Sequence, residues 1–257
     1  MLNTIRFASA TTTERDLTTS MPNLIGEIRR QIPEGGFDFG LLFMSSHFGK
    51  EAEECARAIR DELSPRILIG CTGEGVIGSQ EEIERTPAIT LAVAQFPNVE
   101  LTPVVLPAIE LQDANTAGLS PLENIEIPES VKLLVMVADP FSTPMDLLLD
   151  SCNEDFPGVP IIGGLASGGR APRENALIMN DMVLRDGAVA VAFSGDVQVD
   201  VIVSQGCRPV GPVLEVTEAR DNVITHLEGK SPLDQIQALV EELSSEDREL
   251  LRNGLFV

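Results

Sequence analysis

Apolar residues along the chain fall into short unbroken runs and longer stretches with helical spacing, and the two kinds alternate. Ile5 to Thr12 reads as a strand ending in a Thr run. Leu17, Met21, Leu24, Ile25, Ile28 and Ile32 then recur at helical spacing, which predicts a helix with Pro22 in its first turn and Pro33 and Gly35-Gly36 as its stop. Phe39 to Ser45 is apolar without alternation, the pattern of a strand covered on both faces. Ala52, Cys55, Ala56, Ile59 and Leu63 mark one face of an amphipathic helix that Ser64-Pro65 ends. Arg66 to Cys71 is a second buried strand opening into a Gly-rich turn, Gly70 to Gly78. Ala88 to Phe96 and Val99 to Leu106 follow as a predicted hairpin around Pro97-Asn98.

The same order returns further on. Leu41-Leu42-Phe43-Met44 is matched by Leu133-Leu134-Val135-Met136, an offset of 92 residues, and Ile69-Gly70 by Ile162-Gly163. The hairpin is matched by Gly187 to Ser194 with Val197 to Gln205, and Glu174 to Met179 reads as an extra strand. Residues 107–130 carry Pro107, Pro121 and Pro128 among polar residues, a long connection. These patterns predict an α/β fold with mixed β-sheets and covering helices, in two pseudo-repeated strand-helix-strand-hairpin units at about 37–106 and 131–206. The two share one domain, because neither unit alone has helices to cover its strands on both faces. Ser231-Pro232 then starts a helix in N-cap and N1 fashion, and a second short helix begins near Ser245 with Gly254 as its stop.

Composition narrows the function classes. Of 257 residues, 18 are Lys or Arg and 40 are Asp or Glu, a formal net charge of −22. Counterion release needs a basic track along phosphates, so nucleic acid and anionic membranes are excluded as expected partners. No apolar run approaches the roughly 18 to 20 residues of a spanning helix, and the N-terminus lacks an apolar signal core, which makes the cytoplasm the expected compartment. Cys55, Cys71, Cys152 and Cys207 form no CxxC pair and the two His stand apart, so no metal site and no disulfide is expected. With Trp and Tyr absent, a pocket is lined by aliphatic groups and backbone. No cofactor signature is present: GxxxxGK[ST] is missing, and GCTGEG lacks the dinucleotide-binding spacing.

Candidate chemistry gathers at the two Gly-rich segments that follow the buried strands, where backbone N–H groups converge. The candidate ligand-binding residues are Gly70, Cys71, Thr72, Gly73 and Glu74 in the first, and Gly163, Gly164, Ser167 and Arg170 in the second. Glu74 and Arg170 would suit the amine and carboxylate ends of a zwitterion. Equally, Gly73 and Gly75 could serve only a tight turn with Glu74 solvated. Superposing the halves sets His47 over Asp139 and Cys71 over Gly164, so a pseudo-twofold would bring Cys71, His47 and Asp139 together as a thiol-dependent hydrolase or acyltransferase. Against this stands the ordinary burial of Cys and of a lone His at a strand end.

At Ile69-Gly70-Cys71-Thr72-Gly73-Glu74 and Ser204-Gln205-Gly206-Cys207-Arg208-Pro209-Val210-Gly211-Pro212 the sequence resembles the FIST family, ligand-sensing domains found alone or fused to signalling modules. Val216-Thr217-Glu218-Ala219 through Ser231-Pro232-Leu233-Asp234 is similar to the passage from the family's N-terminal to its C-terminal region. The resemblance implies an N-terminal-type domain over 1–220, the start of a C-terminal-type region at 221–257 that stops early, and a sensory domain binding a small molecule. Amino acids are the implied class, a signalling protein the implied partner, and no chemistry of its own is implied. Only the Gly70 to Glu74 segment carries over as a motif, and it departs from the family by lacking a small residue before the Gly-Glu pair. Two other classes stay open: the Cys71 enzyme, and an interaction module whose acidic surface meets a basic protein. The charge balance also yields a direct expectation: retention on heparin or duplex DNA columns is undetectable near physiological salt, and salt-sensitive retention would contradict it.

Overall fold

Two β-sheets packed face to face form the centre of the first of two units, Met1–Val201 and Ile202–Val257. The computed structural model describes residues 5–78, 81–106, 108, 122, 125–203, 210–220 and 223–250. In the first half the order is β1 (Arg6–Thr12), α1 (Leu17–Gln31), β2 (Phe39–Ser45), a 3₁₀ turn (Ser46–Phe48), α2 (Ala52–Leu63), β3 (Ile67–Gly73), β4 (Gly75–Ile77), β5 (Glu82–Glu84) and β6 (Ile89–Gln95). The second half runs β7 (Val99–Leu106), β8 (Leu133–Ala138), α3 (Met145–Asp155), β9 (Ile161–Leu165), β10 (Leu177–Met179), β11 (Met182–Leu184) and β12 (Ala188–Gly195). Among the described residues no helix is long and apolar enough to cross a membrane.

Helix boundaries follow local chemistry. Asp16 caps α1, accepting from the Thr18 amide at 3.2 Å and from the hydroxyls of Thr18 and Thr19, and these bonds hold its carboxyl below the usual range. That cap starts the helix at Leu17, so Pro22 lies inside it and not in the first turn as its sequence position suggested. α2 ends as predicted, with Ser64 left-handed at φ 50° and its amide bonded to the Arg60 carbonyl.

Strand pairing departs from the predicted hairpin. β6 pairs antiparallel with β1 and with β2, while β7 leaves for the other sheet and pairs with β12. The Gly195, Asn98 and Pro97 corner therefore joins two sheets where the sequence suggested a simple reversal. Residues 197–203 form no strand, against expectation, and the remainder of the predicted strand to Gln205 lies outside the described residues. The larger sheet has the order β1-β6-β2-β3-β10-β11 and the smaller β7-β12-β8-β9. In each, an antiparallel pair leads to an antiparallel neighbour and then to a parallel pair: β1, β6, β2, β3 and β7, β12, β8, β9.

Packing makes four layers. α1 and α2 bury Met21, Leu24, Ile28, Cys55, Ile59 and Leu63 against Leu42, Leu68 and Leu91 on the outer face of the large sheet. The inner faces meet through Phe39, Ile69, Val135, Val189 and Phe193, with the Phe39 and Phe193 rings edge to face at 5.1 Å. α3 covers the outer face of the small sheet through Leu148 and Cys152.

The unit Ile202–Val257 holds β13 (Val216–Arg220), β14 (Val223–Leu227), α4 (Pro232–Glu242) and α5 (Ser245–Leu250). Ser231 caps α4 through its hydroxyl and Pro232 takes the first turn, as the sequence predicted. None of the α4 residues is buried, and Leu227 is the buried apolar residue among those described in this unit. Ser204 to Pro209 with Cys207, most of the 107–130 connection, and Gly254 lie outside the described residues.

Gly70 and Gly163 occupy matching places on the inside of the two parallel pairs. A Cβ on Gly70 would overlap the Leu42 carbonyl oxygen, and one on Gly163 the Met136 carbonyl oxygen. Gly70→Ala is therefore expected to destabilise the protein by about 3 kcal/mol or more, since β2 and β3 must part. Gly26, in α1 with open space around it, should gain roughly 0.5 to 1 kcal/mol as Gly26→Ala. Urea unfolding of both variants checks the pair.

Candidate functional site

The Gly-rich segments are largely strand. Gly70 to Gly73 complete β3, and Gly163 to Leu165 complete β9. What brings the two together is β10, which adds antiparallel to the free edge of β3 with Leu177 opposite Cys71 and Met179 opposite Ile69. Continuing that pairing, the Thr72 amide donates to the Ala176 carbonyl at 2.9 Å, and the Thr72 hydroxyl accepts from the Ala176 amide at 3.0 Å.

Ser167 then bridges the segments. Its amide donates to the Thr72 carbonyl at 3.0 Å, and its hydroxyl accepts from the Glu74 amide at 3.0 Å. Gly168 lies against Ser46 and the Gly73 carbonyl so closely that a Cβ there would meet the Ser46 Cβ at 2.6 Å. The neighbourhood of Thr72, Gly73, Glu74, Ser167 and Gly168 is thus one contiguous structure. Glu74 and Arg170 are both exposed at its rim, and the Arg170 amide donates to Glu174 at 2.7 Å. Gly163 and Gly164 lie on the exposed strand β9.

Cys71, His47 and Asp139 each take different company. Cys71 points between the sheets among Ile69, Val137 and Leu177, and burial pushes its thiol up to about 12. His47 is exposed in the 3₁₀ turn, with Nδ1 3.2 Å from the Ser45 hydroxyl. Asp139 is fully buried at the end of β8, accepting from Asn175 Nδ2 at 3.0 Å and from the Ser142 hydroxyl at 2.7 Å. Among the described residues no hydrogen bond joins any two of the three.

A polar network around Asp139 is what the sequence did not announce. Asn175, 1% exposed, accepts from the Gly169 amide at 2.9 Å while donating to Asp139. Its carbonyl accepts from Arg185 at 3.3 Å, and the same guanidinium donates to the Gly49 carbonyl at 2.7 Å. The Ser142 oxygen accepts from the Gly187 amide at 2.9 Å. These bonds pin the 166–170 segment, β10 and the 3₁₀ turn to one another. A clue was available in Asn175, a polar residue next to the apolar run Ala176 to Met179 of the predicted extra strand.

Two cavities adjoin the segments and share no lining residue. One, of about 450 Å³, lies between β4 and the inner face of the large sheet, lined by Leu41, Phe43, Val76, Thr90, Ala92 and Ser9 together with Gly73, Gly75, Ile77 and Gly78. The other, of about 330 Å³, follows β9 against α3, lined by Met136, Met145, Leu149 and Ile161 to Leu165. Neither lining contains a charged side chain, and among the described residues no cluster of His, Cys, Asp or Glu could hold a metal ion.

The model of the FIST N domain matches residues 38–230, three quarters of the chain and all of this site except Ser9. The chain belongs to the FIST N domain family. Similar proteins include the uncharacterized protein Rv0628c of Mycobacterium tuberculosis (strain ATCC 25618 / H37Rv), 29% identical over 252 residues, and the uncharacterized protein Mb0898c of Mycobacterium bovis (strain ATCC BAA-935 / AF2122/97), 28% identical over 252 residues. Each match covers 98% of this chain but only 64% and 63% of the relative, so the FIST chain described here spans less than two thirds of their length. Among solved structures, a cyanuric acid hydrolase from A. caulinodans aligns over 76% of this chain and 72% of its own, with a TM-score of 0.36 and 11% identity, a distant likeness.

Cysteine burial in this FIST domain has a measurable consequence. Burial raises the Cys55 and Cys71 thiols to about 12 and moves Cys152 the same way. At pH 8 a thiol held at about 12 carries roughly a thousandfold less thiolate than a free one, so native Cys71 should resist iodoacetamide and His47→Ala should not change that. Because the folded values lie above the unfolded ones, the native state keeps protons that the unfolded chain releases. The contribution is whole below about pH 9 and is lost as pH climbs towards 12. Urea midpoints at pH 8 and 10.5 should fall, and fall less in Cys71→Ala.

Proposed function

We propose that this chain is the small-molecule-binding part of a sensory protein and that the ligand seats in the 450 Å³ cavity under β4, with no chemistry performed on it. Membership of the FIST N family carries the coarser statement, a sensory, signal-transduction domain. The single observation favouring this cavity is its position: Gly73 of the family's own motif lines it together with Gly75, and the exposed Glu74 lies between these two in the chain. The body of the cavity is apolar, with the Ser9 and Thr90 hydroxyls among its lining groups. That suits a small ligand with an aliphatic body and one or two hydrogen-bonding groups.

An amino acid with an aliphatic side chain meets these terms if the side chain enters and the ammonium group stays outside, within reach of the exposed Glu74 that adjoins the lining residues Gly73 and Gly75. A zwitterion wholly inside would leave both charges unpaired, at a cost no lining residue offsets. Arg170 is not among the lining residues, so its part in holding a carboxylate is dropped from this proposal. The readout would pass to a signalling protein, in the cytoplasm, where Cys55, Cys71 and Cys152 stay as free thiols.

A thermal-shift screen with leucine, valine, glycine, short aliphatic carboxylates and purines tests it. A ligand at 100 times its Kd adds about 2.7 kcal/mol, or about 5 to 10 °C in a domain of this size. Ala92→Phe should fill the cavity and abolish the shift, and Glu74→Gln should weaken amine-bearing ligands selectively. A shift that survives Ala92→Phe unchanged would place the ligand elsewhere.

A further inference from the structure

We infer that β9 is an acceptor edge, and that its occupant is the antiparallel hairpin of a third unit with the topology of the two already present. The inference is independent of the ligand cavity and comes from comparing the two sheets of the same molecule.

In the large sheet, the strand at the parallel pair's outer edge is β3, and the β10-β11 hairpin covers it. The hairpin tip also fills the groove between β3 and α2: the Leu68 amide donates to Asn180 Oδ1 at 3.0 Å, the Asn180 amide to the Leu68 carbonyl at 2.7 Å, and Arg60 to Asp181 at 3.0 Å. In the small sheet the corresponding strand is β9, parallel to β8 with α3 behind it. Among the described residues no strand pairs with its outer edge. Ile162 is 41% exposed and Leu165 49%, on opposite faces of the strand. The 330 Å³ cavity between β9 and α3 marks the groove that the hairpin tip fills on the other sheet.

A hairpin of the matching kind also lacks a sheet to join. β4-β5 follows β3 in the first half as β10-β11 follows β9 in the second, yet among the described residues β4 and β5 pair only with each other. Ile77 on it is 76% exposed. Among the described residues one such covering is seen, that of the first half's edge strand by the second half's hairpin, and it is the pattern the inference extends. A third unit satisfies both remaining ends, giving its hairpin to β9 and offering its own edge strand to β4-β5. An unpaired strand edge is a ready template for pairing, and β-addition is one way to close it.

The mycobacterial relatives have the length for it. This chain, with two units and the segment after them, accounts for 64% of one relative, and the remaining 36% exceeds the half of that share which one more unit requires.

The probe is the stretch of the Mycobacterium tuberculosis relative outside the matched region, produced separately and added to this chain, with amide exchange followed by mass spectrometry. By itself, this chain should exchange quickly at 161–165 and at 75–77 and 82–84 of the β4-β5 hairpin. With the probe, both segments should slow by roughly tenfold or more. Ile162→Asp should abolish protection at 161–165 with the melting temperature of the unbound chain unchanged, and Leu165→Asp, on the opposite face, gives a second variant should the first fail to fold. Protection at neither segment, or at only one of them, overturns the inference. So does protection that grows with the concentration of this chain without the probe, which would make a second copy the occupant.

Discussion

The pairing of β10 with β3 is the constraint on which the rest of the first unit depends. It carries a strand from the second half onto the first half's sheet, with Ile178 opposite Gly70 and Leu177 opposite Cys71. Without it, nothing would hold Ser167 against Thr72 and Glu74, and the ends of β3 and β9, which belong to separate sheets, would have no link. The pairing is three residues long, so it needs help. Ile178 enters the core beneath α1 and α2 while Leu177 and Met179 enter the core between the sheets, which anchors one short strand in two apolar layers.

The buried polar network completes that anchor. A carboxylate with no water contact, such as that of Asp139, is expensive unless its oxygens are bonded, and Asn175 and Ser142 supply one donor each. The arrangement is directional where the apolar layers are not. Asn175 can donate to Asp139 and accept from Gly169 together only when β10 is in its observed register. Arg185 extends the same control to the 3₁₀ turn through Gly49.

This division of labour explains why the charged rim and the cavity are distinct. Glu74 and Arg170 flank the bridge made by Ser167, where backbone groups already satisfy one another. The open volume lies one step further, under β4, where the inner face of the large sheet presents Leu41, Phe43, Thr90 and Ala92. Small side chains at Ser9 and Ala92 leave the space, and the glycines at 73, 75 and 78 let the backbone border it closely.

Much of the secondary structure was legible because it follows from local periodicity. The apolar face of α2, the left-handed Ser64 that ends it, the buried runs of β2, β3 and β8, and the Ser231-Pro232 start of α4 are all written within a few residues of themselves. So is the Gly70 to Glu74 motif. What tertiary structure alone decided is which strand lies beside which. Periodicity says that β6 and β7 are strands and that two residues of turn chemistry lie near their junction, but it is equally consistent with a hairpin and with a crossing between sheets. The crossing prevails because β12 offers β7 an eight-residue antiparallel partner while β6 is already paired on both edges by β1 and β2. Cys71 shows the same limit at a single side chain. Its motif placed it at a candidate site, and the strand's alternation, read with the second sheet in place, turns its thiol into the core.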